Sequence, residues 1–215
     1  MRAAAGSLLL AAVWAAGVGA APPEAAGLFR VWVPLAAAAS VEALPLRSSV
    51  TREGSVPGAA PGEAQRAASV SCGPPGMPAT LETAQPVELV DRGDRVVMRF
   101  AEWGAERVVY LRPGNGPPSG QRSPLGASFG RWEGRTLAIF TLYIDYAFFD
   151  ARGTPQSRDV TVLERYTPSA DGARLDYRVT VTDDATFTRP VVREGFMTLA
   201  AAASLEGLVA KDCVG

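Results

Sequence analysis

Two glutamates and a small set of aromatic rings are the residues of this chain best equipped for chemistry. Glu133 sits in the stretch GRWEGRTL (130–137), directly after Arg131 and Trp132, and Glu164 opens an E-R pair with Arg165. Two carboxylates at a suitable separation make an acid-base couple, one kept protonated by its surroundings and the other ionised. Trp132, Tyr143, Tyr166 and Tyr177 are large amphipathic rings. With Arg131 to orient a polar group, they are a candidate lining for an apolar or aromatic small molecule. A third arrangement of the same residues needs no ligand. Trp132 fills the end of a core, and Arg131 or Arg135 pairs with Glu133 or Glu164.

Absences narrow the chemistry. The 215 residues include no histidine, which excludes Ser-His-Asp and Cys-His catalysis and histidine-based zinc or iron sites. The one lysine, Lys211, lies four residues from the last, a poor place for a buried Schiff base. Neither a GxxxxGK[ST] loop nor a G-x-G-x-x-G turn occurs. The expectation is therefore no metal and no cofactor, with acid-base work left to Asp, Glu, Tyr and Cys.

Positioning such residues requires a fold, and the first twenty residues stand apart from it. Met1-Arg2 is followed by an apolar, Ala-rich run centred on Leu8-Leu9-Leu10, and Val18-Gly19-Ala20 supplies small residues for a cut after Ala20. This is the pattern of a secretory signal peptide. A membrane anchor needs about 20 strongly apolar residues, and this run is shorter and mostly Ala. Cleavage removes Arg2, one of 21 basic residues, and none of the 22 acidic ones. The mature chain then carries a slight acidic excess and no basic patch, which argues against a nucleic-acid partner. No later stretch is long and apolar enough for a stable membrane span. The expected location is periplasmic or secreted, and the Ala and Arg richness points to a bacterial source.

The rest reads as strands. GLFRVWVPL (27–35) has strand alternation. Residues 36–84 are rich in Ala, Pro, Gly and Ser and read as an irregular arm, with a short helix at 63–70. After Pro86 the chain reads strand, turn, strand, turn, strand. Arg92-Gly93-Asp94 is a turn rather than an adhesion signal, and Val96, Met98 and Phe100 share one face. The breaker-rich segment 112–130 precedes a strand from Arg135 to Tyr146 that is apolar on both faces, so it is covered on both sides or lies between a cavity and an outer layer. Strands follow at 158–169, 175–182 and 190–199, and the Ala-rich tail reads as a short helix. Seven to eight consecutive strands predict an all-β antiparallel meander. Its expected form is a lipocalin-like closed or nearly closed barrel with an irregular N-terminal arm, with a β-sandwich as the alternative. The organisation is then residues 1–20 as signal peptide, 21–84 as N-terminal strand and arm, and 85–215 as barrel, the arm and barrel making one structural domain.

From about residue 72 to 213 the chain resembles an uncharacterised family of secreted bacterial proteins. The resemblance rests on C-x-P-P-G-M-P (Cys72 to Pro78), G-R-W-E-G-x-T-L (Gly130 to Leu137), the E-R pair, V-T-V-x-D (Val179 to Asp183), F-T-x-P (Phe187 to Pro190) and a late cysteine, Cys213. It implies export and no particular activity. Similar proteins carry Asp where this chain has Arg135, which reverses the charge near Glu133.

A barrel of about eight strands holds either its own side chains or one small ligand. The leading expectation is a periplasmic or secreted barrel that binds a small hydrophobic or aromatic molecule through Arg131, Trp132, Tyr143, Tyr166 and Tyr177. The alternatives are a cofactor-independent isomerase, cyclase or hydrolase using Glu133 and Glu164, and a structural or envelope-interaction module, which would show a continuous exposed apolar patch. Cys72 and Cys213 are the only cysteines. In an oxidising compartment they are expected to form one disulfide, closing a loop of about 140 residues and contributing roughly 4–5 kcal/mol in the chain-entropy treatment. Thiol titration of the exported protein, denatured without reductant, should find no free thiol; two free thiols would refute the bridge.

Overall fold

The computed structural model describes residues 21–34, 44–48, 50, 74–102, 104–112, 114–201 and 205. The signal peptide, the helix expected at 63–70, Cys72, Cys213 and their expected bridge, and nearly all of the C-terminal tail lie outside the described residues.

Nine strands among the described residues close into a single barrel in chain order. They are β1 (Val31–Pro34), β2 (Val87–Asp91), β3 (Arg95–Phe100), β4 (Ala105–Tyr110), β5 (Ala127–Glu133), β6 (Thr136–Leu142), β7 (Thr161–Pro168), β8 (Arg174–Thr182) and β9 (Val191–Leu199). The barrel expected from the sequence is present, with nine strands rather than seven or eight, and the described strands form no second sheet for a sandwich. Alternation sets the wall: Val96, Met98 and Phe100 of β3 are buried inside, while Arg95 is exposed and Val97 and Arg99 are only partly covered. No helix of the described residues is long and apolar enough to cross a membrane.

A closed ring of nine strands cannot alternate direction all the way round, so an antiparallel meander has to break somewhere. It breaks at β4–β5, which run parallel and match at Val109↔Ser128 and Tyr110↔Phe129. The breaker-rich segment after Tyr110 returns the chain so that β5 lies alongside β4. The expected all-antiparallel order is corrected at this one seam.

The stretch G-R-W-E-G is corrected too. It is not the end of a loop: Arg131, Trp132 and Glu133 belong to β5, and Gly134-Arg135 form a two-residue hairpin turn between the facing residues Glu133 and Thr136. Gly134 has φ +58°, and a glycine with positive φ at the first central position is the pattern of a II′ turn. The following strand stops at Leu142 rather than Tyr146. Tyr143 has left-handed backbone (φ 59°), and the chain leaves the wall there. Nor is β6 covered on both faces: Leu137, Ile139 and Thr141 are buried inside, but Phe140 is 44% exposed outside.

At the N-terminus, the strand expected over 27–35 shortens to β1 because Pro23–Leu28 form a 3₁₀ helix (η1) with proline in its first turn. The Trp32 indole donates back to the Leu28 carbonyl at 2.9 Å, fixing η1 against β1. Ala25 and Leu28 join Trp32, Phe100, Trp132, Leu137, Tyr166 and Leu175 in one apolar cluster. A second cluster combines the inward residues Val162, Val179, Val181 and Val191 with Met77, Phe149 and Phe187 from flanking segments. A second 3₁₀ helix, η2 (Ala79–Glu82), follows Met77. Of the arm, Leu46 forms a β-bridge with Phe187, and the Thr188 amide donates to Pro45.

Trp132 is 5% exposed and meets Phe29 edge-on, with ring centroids 6.1 Å apart. Trp132→Ala should destabilise the protein by about 3–5 kcal/mol in equilibrium denaturant unfolding, the range for emptying a buried large aromatic site. A change below about 1 kcal/mol would mean that the indole is not core.

Candidate functional site

Register arranges the inner side chains in rows across β5 to β9. Trp132, Leu137, Tyr166, Tyr177 and Gly195 form one row. Gly130, Ile139, Glu164, Val179 and Arg193 form the next, and Ser128, Thr141, Val162, Val181 and Val191 the third. Directly opposed residues of neighbouring antiparallel strands have Cβ atoms about 5 Å apart. Three of the four rings singled out in the sequence, Trp132, Tyr166 and Tyr177, therefore share one row. Tyr143 does not: it lies past the end of β6, with its hydroxyl 3.5 Å from that of Ser119.

The wall of the barrel separates the two glutamates. Glu164 points inward and is fully buried. Glu133 points outward, where it accepts hydrogen bonds from Arg131 and Arg165 on the same outer face. A couple acting on one substrate atom needs both carboxylates in one space, so the expected Glu133–Glu164 acid-base pair is not assembled. Arg131 likewise faces out, and does not join the inner rings.

The partner of Glu164 is a residue that sequence reasoning missed. Arg107 of β4 is 2% exposed and forks onto the carboxylate, with Nη1 donating to Oε2 at 2.9 Å and Nη2 to Oε1 at 2.6 Å. Its Nε donates to the Ser128 hydroxyl at 2.9 Å and Nη2 also to the Thr141 hydroxyl at 2.6 Å. The Tyr166 hydroxyl donates to Glu164 Oε2 at 2.9 Å. Burial pushes the Tyr166 phenol well above its ordinary value, and the Glu164 charge adds to this, so it stays protonated and able to donate. Burial works to discharge Arg107, but the Glu164 carboxylate overrides it and holds the guanidinium above its usual value. This bidentate pair is compensated in charge and hydrogen-bonded on every side. Such a saturated network leaves no group poised to move a proton or grip a substrate, and its physical role is to fix the relative positions of β4, β5, β6 and β7.

A different part of the inner face is only partly covered. Of the inward positions on β8 and β9, Leu175, Val179, Val181, Val191 and Met197 are buried, whereas water reaches Tyr177, Arg193 and Gly195. Tyr177 lies across Gly195: a Cβ there would stand 2.6 Å from the phenol oxygen, so only glycine leaves room for the ring. Among the described residues β1 meets only the last part of β9, at Met197, Thr198 and Leu199. Beside the first part, Arg193 pairs with Glu82 at the end of η2, and its guanidinium carbon sits 4.5 Å from the centre of the Phe149 ring. Glu82 also accepts the Ala151 amide at 3.3 Å. Burial pushes the Glu82 carboxyl up, against the opposing pull of Arg193. Burial raises the Tyr177 phenol as well, and Arg193 again opposes it.

No set of carboxylates, cysteines or histidines among the described residues could hold a metal ion. No family model, curated protein or solved structure matches the chain, so the site is read from its own geometry.

Arg107 and Glu164 should behave as a unit. Removing one partner, in Glu164→Gln or Arg107→Met, should cost about 3–5 kcal/mol by leaving a buried group unmatched. The double replacement Arg107→Met with Glu164→Leu should recover much of that loss. Additive losses measured by denaturant unfolding would show that the pair is not coupled.

Proposed function

We propose that this protein is a periplasmic or secreted barrel that binds a small hydrophobic or aromatic molecule. One observation carries the reading. The inner positions along most of β8 and β9 are buried, yet Tyr177, Arg193 and Gly195 are only partly covered, in and beside the aromatic row that continues to Tyr166 and Trp132. Small-molecule sites combine apolar and aromatic walls with a few polar groups that fix orientation, and here Tyr177, Leu81 and Phe149 supply the first and Arg193 and Glu82 the second. Leu81 and Tyr177 pack against both apolar clusters and so lie where these meet. The exported location rests on the leader and on the resemblance to secreted proteins. An enzyme working through Glu133 and Glu164 has no support in their placement, because the wall stands between them.

Native mass spectrometry of protein purified from the envelope fraction of its own source should find a co-purifying small organic molecule that is released on unfolding. Tyr177→Ala should lower its occupancy about tenfold, the effect of losing roughly 1.4 kcal/mol of contact. Protein that is bare under gentle ionisation and takes up no apolar probe would refute the reading.

A further inference from the structure

We infer that the ligand is an amphiphilic anion, an apolar or aromatic body bearing one carboxylate, and that Arg193 grips this carboxylate in the place Glu82 now takes. The inference rests on the small-molecule reading above and adds the chemical class. Two inward arginines have opposite circumstances. Arg107 spends its donors on Glu164, Ser128 and Thr141 in a dry interior. Arg193 is only partly covered, with 30% of its side chain exposed, and its partner Glu82 is 28% exposed. That partner comes from a separate segment, η2, rather than from the barrel wall.

The geometry suits exchange of one carboxylate for another. Phe149 under the guanidinium holds its face and leaves the edge, which Glu82 now occupies, to meet a carboxylate. The groups facing Glu82 pull in opposite directions. Arg193 from β9 and the Ala151 amide favour its charge, whereas burial and the neighbouring Asp150 oppose it, Asp150 itself lying beside Arg152. Glu82 is thus a carboxylate held at a cost, and displacement into water relieves that cost. An incoming carboxylate takes over the same guanidinium while its body covers Tyr177, so the exchange conserves the charge at Arg193. The Tyr177 ring, packed across Gly195 beside it, is an aromatic surface to hand for that body.

The test is calorimetric titration of the full mature protein with matched probes: phenylbutyrate against phenylbutanol, and decanoate against decanol. The carboxylates should bind about tenfold more tightly than the alcohols, as expected for a charge-assisted hydrogen bond. Arg193→Gln should bring the acid-to-alcohol affinity ratio down to about one, and Glu82→Gln should strengthen carboxylate binding. If Arg193→Gln fails to fold, Arg193→Lys, which keeps the charge but not the fork, should reduce the preference, and the Glu82→Gln result still decides. Equal binding of acid and alcohol to the unaltered protein would overturn the anionic assignment and leave the barrel reading standing. Binding of none of the four probes would remove the small-molecule reading itself, and the inference with it.

Discussion

The buried Arg107–Glu164 pair is the interaction on which this barrel depends. Nine strands force a parallel neighbour into an otherwise alternating ring, and the seam that results, β4–β5, is matched at two residue pairs, against eight for β7–β8. Backbone hydrogen bonding holds that seam weakly. Arg107 lies on one side of it, and Ser128, Thr141 and Glu164 stand on the three strands beyond. The side-chain network thus ties β4 to β7 across the short ladder between β4 and β5. A buried ion pair adds little net stability compared with apolar packing, but it penalises every arrangement that separates its members. Its contribution is to select this closure over a slipped or open sheet.

With the charge of Arg107 cancelled inside, the rest of the interior divides by access to water. The saturated network, which includes the Tyr166 hydroxyl, lies beside the buried Met98 and Ile139. On the far wall, β1 as described faces only the last part of β9, and η2 reaches the first part through the Arg193–Glu82 pair. A side-chain pair, Arg193 with Glu82, joins η2 to β9 there. Side chains rearrange at far lower cost than a hydrogen-bonded ladder, so this is the part of the wall suited to admit another molecule. The same residue types therefore serve opposite ends: one arginine-glutamate pair is locked and structural, the other is accessible and exchangeable.

Much of the wall was legible from period-two alternation. β3 and β8 each pair a largely apolar face with a largely polar one, and that pattern places Tyr177 on its strand. β5 was hidden because Gly126, Gly130 and Gly134 with Ser128 make A-S-F-G-R-W-E look like loop, although Gly134 only turns the chain after it. Arg107 was hidden for another reason. Its strand, A-E-R-V-V-Y, has apolar residues on both faces, so alternation does not say which face is inside. Its partner lies 57 residues away, a pairing fixed by barrel closure rather than by any local signal. Arg193 and Glu82 share this difficulty, with V-V-R-E-G-F-M ambiguous in phase and Glu82 in a proline-bordered segment read as irregular. Tyr143 failed as a site residue because the strand ends one residue before it.

The division between a locked and an exchangeable arginine can be observed in one measurement, nuclear magnetic resonance of the arginine Nε–Hε groups with and without phenylbutyrate. The account predicts that the Arg107 proton, bonded to Ser128 in the dry interior, exchanges with water far more slowly than those of surface arginines and does not move when the probe is added. It predicts that the Arg193 signal exchanges rapidly and shifts on binding. An Arg107 proton exchanging at surface rates, or a probe that shifts Arg107 and leaves Arg193 unchanged, would contradict it.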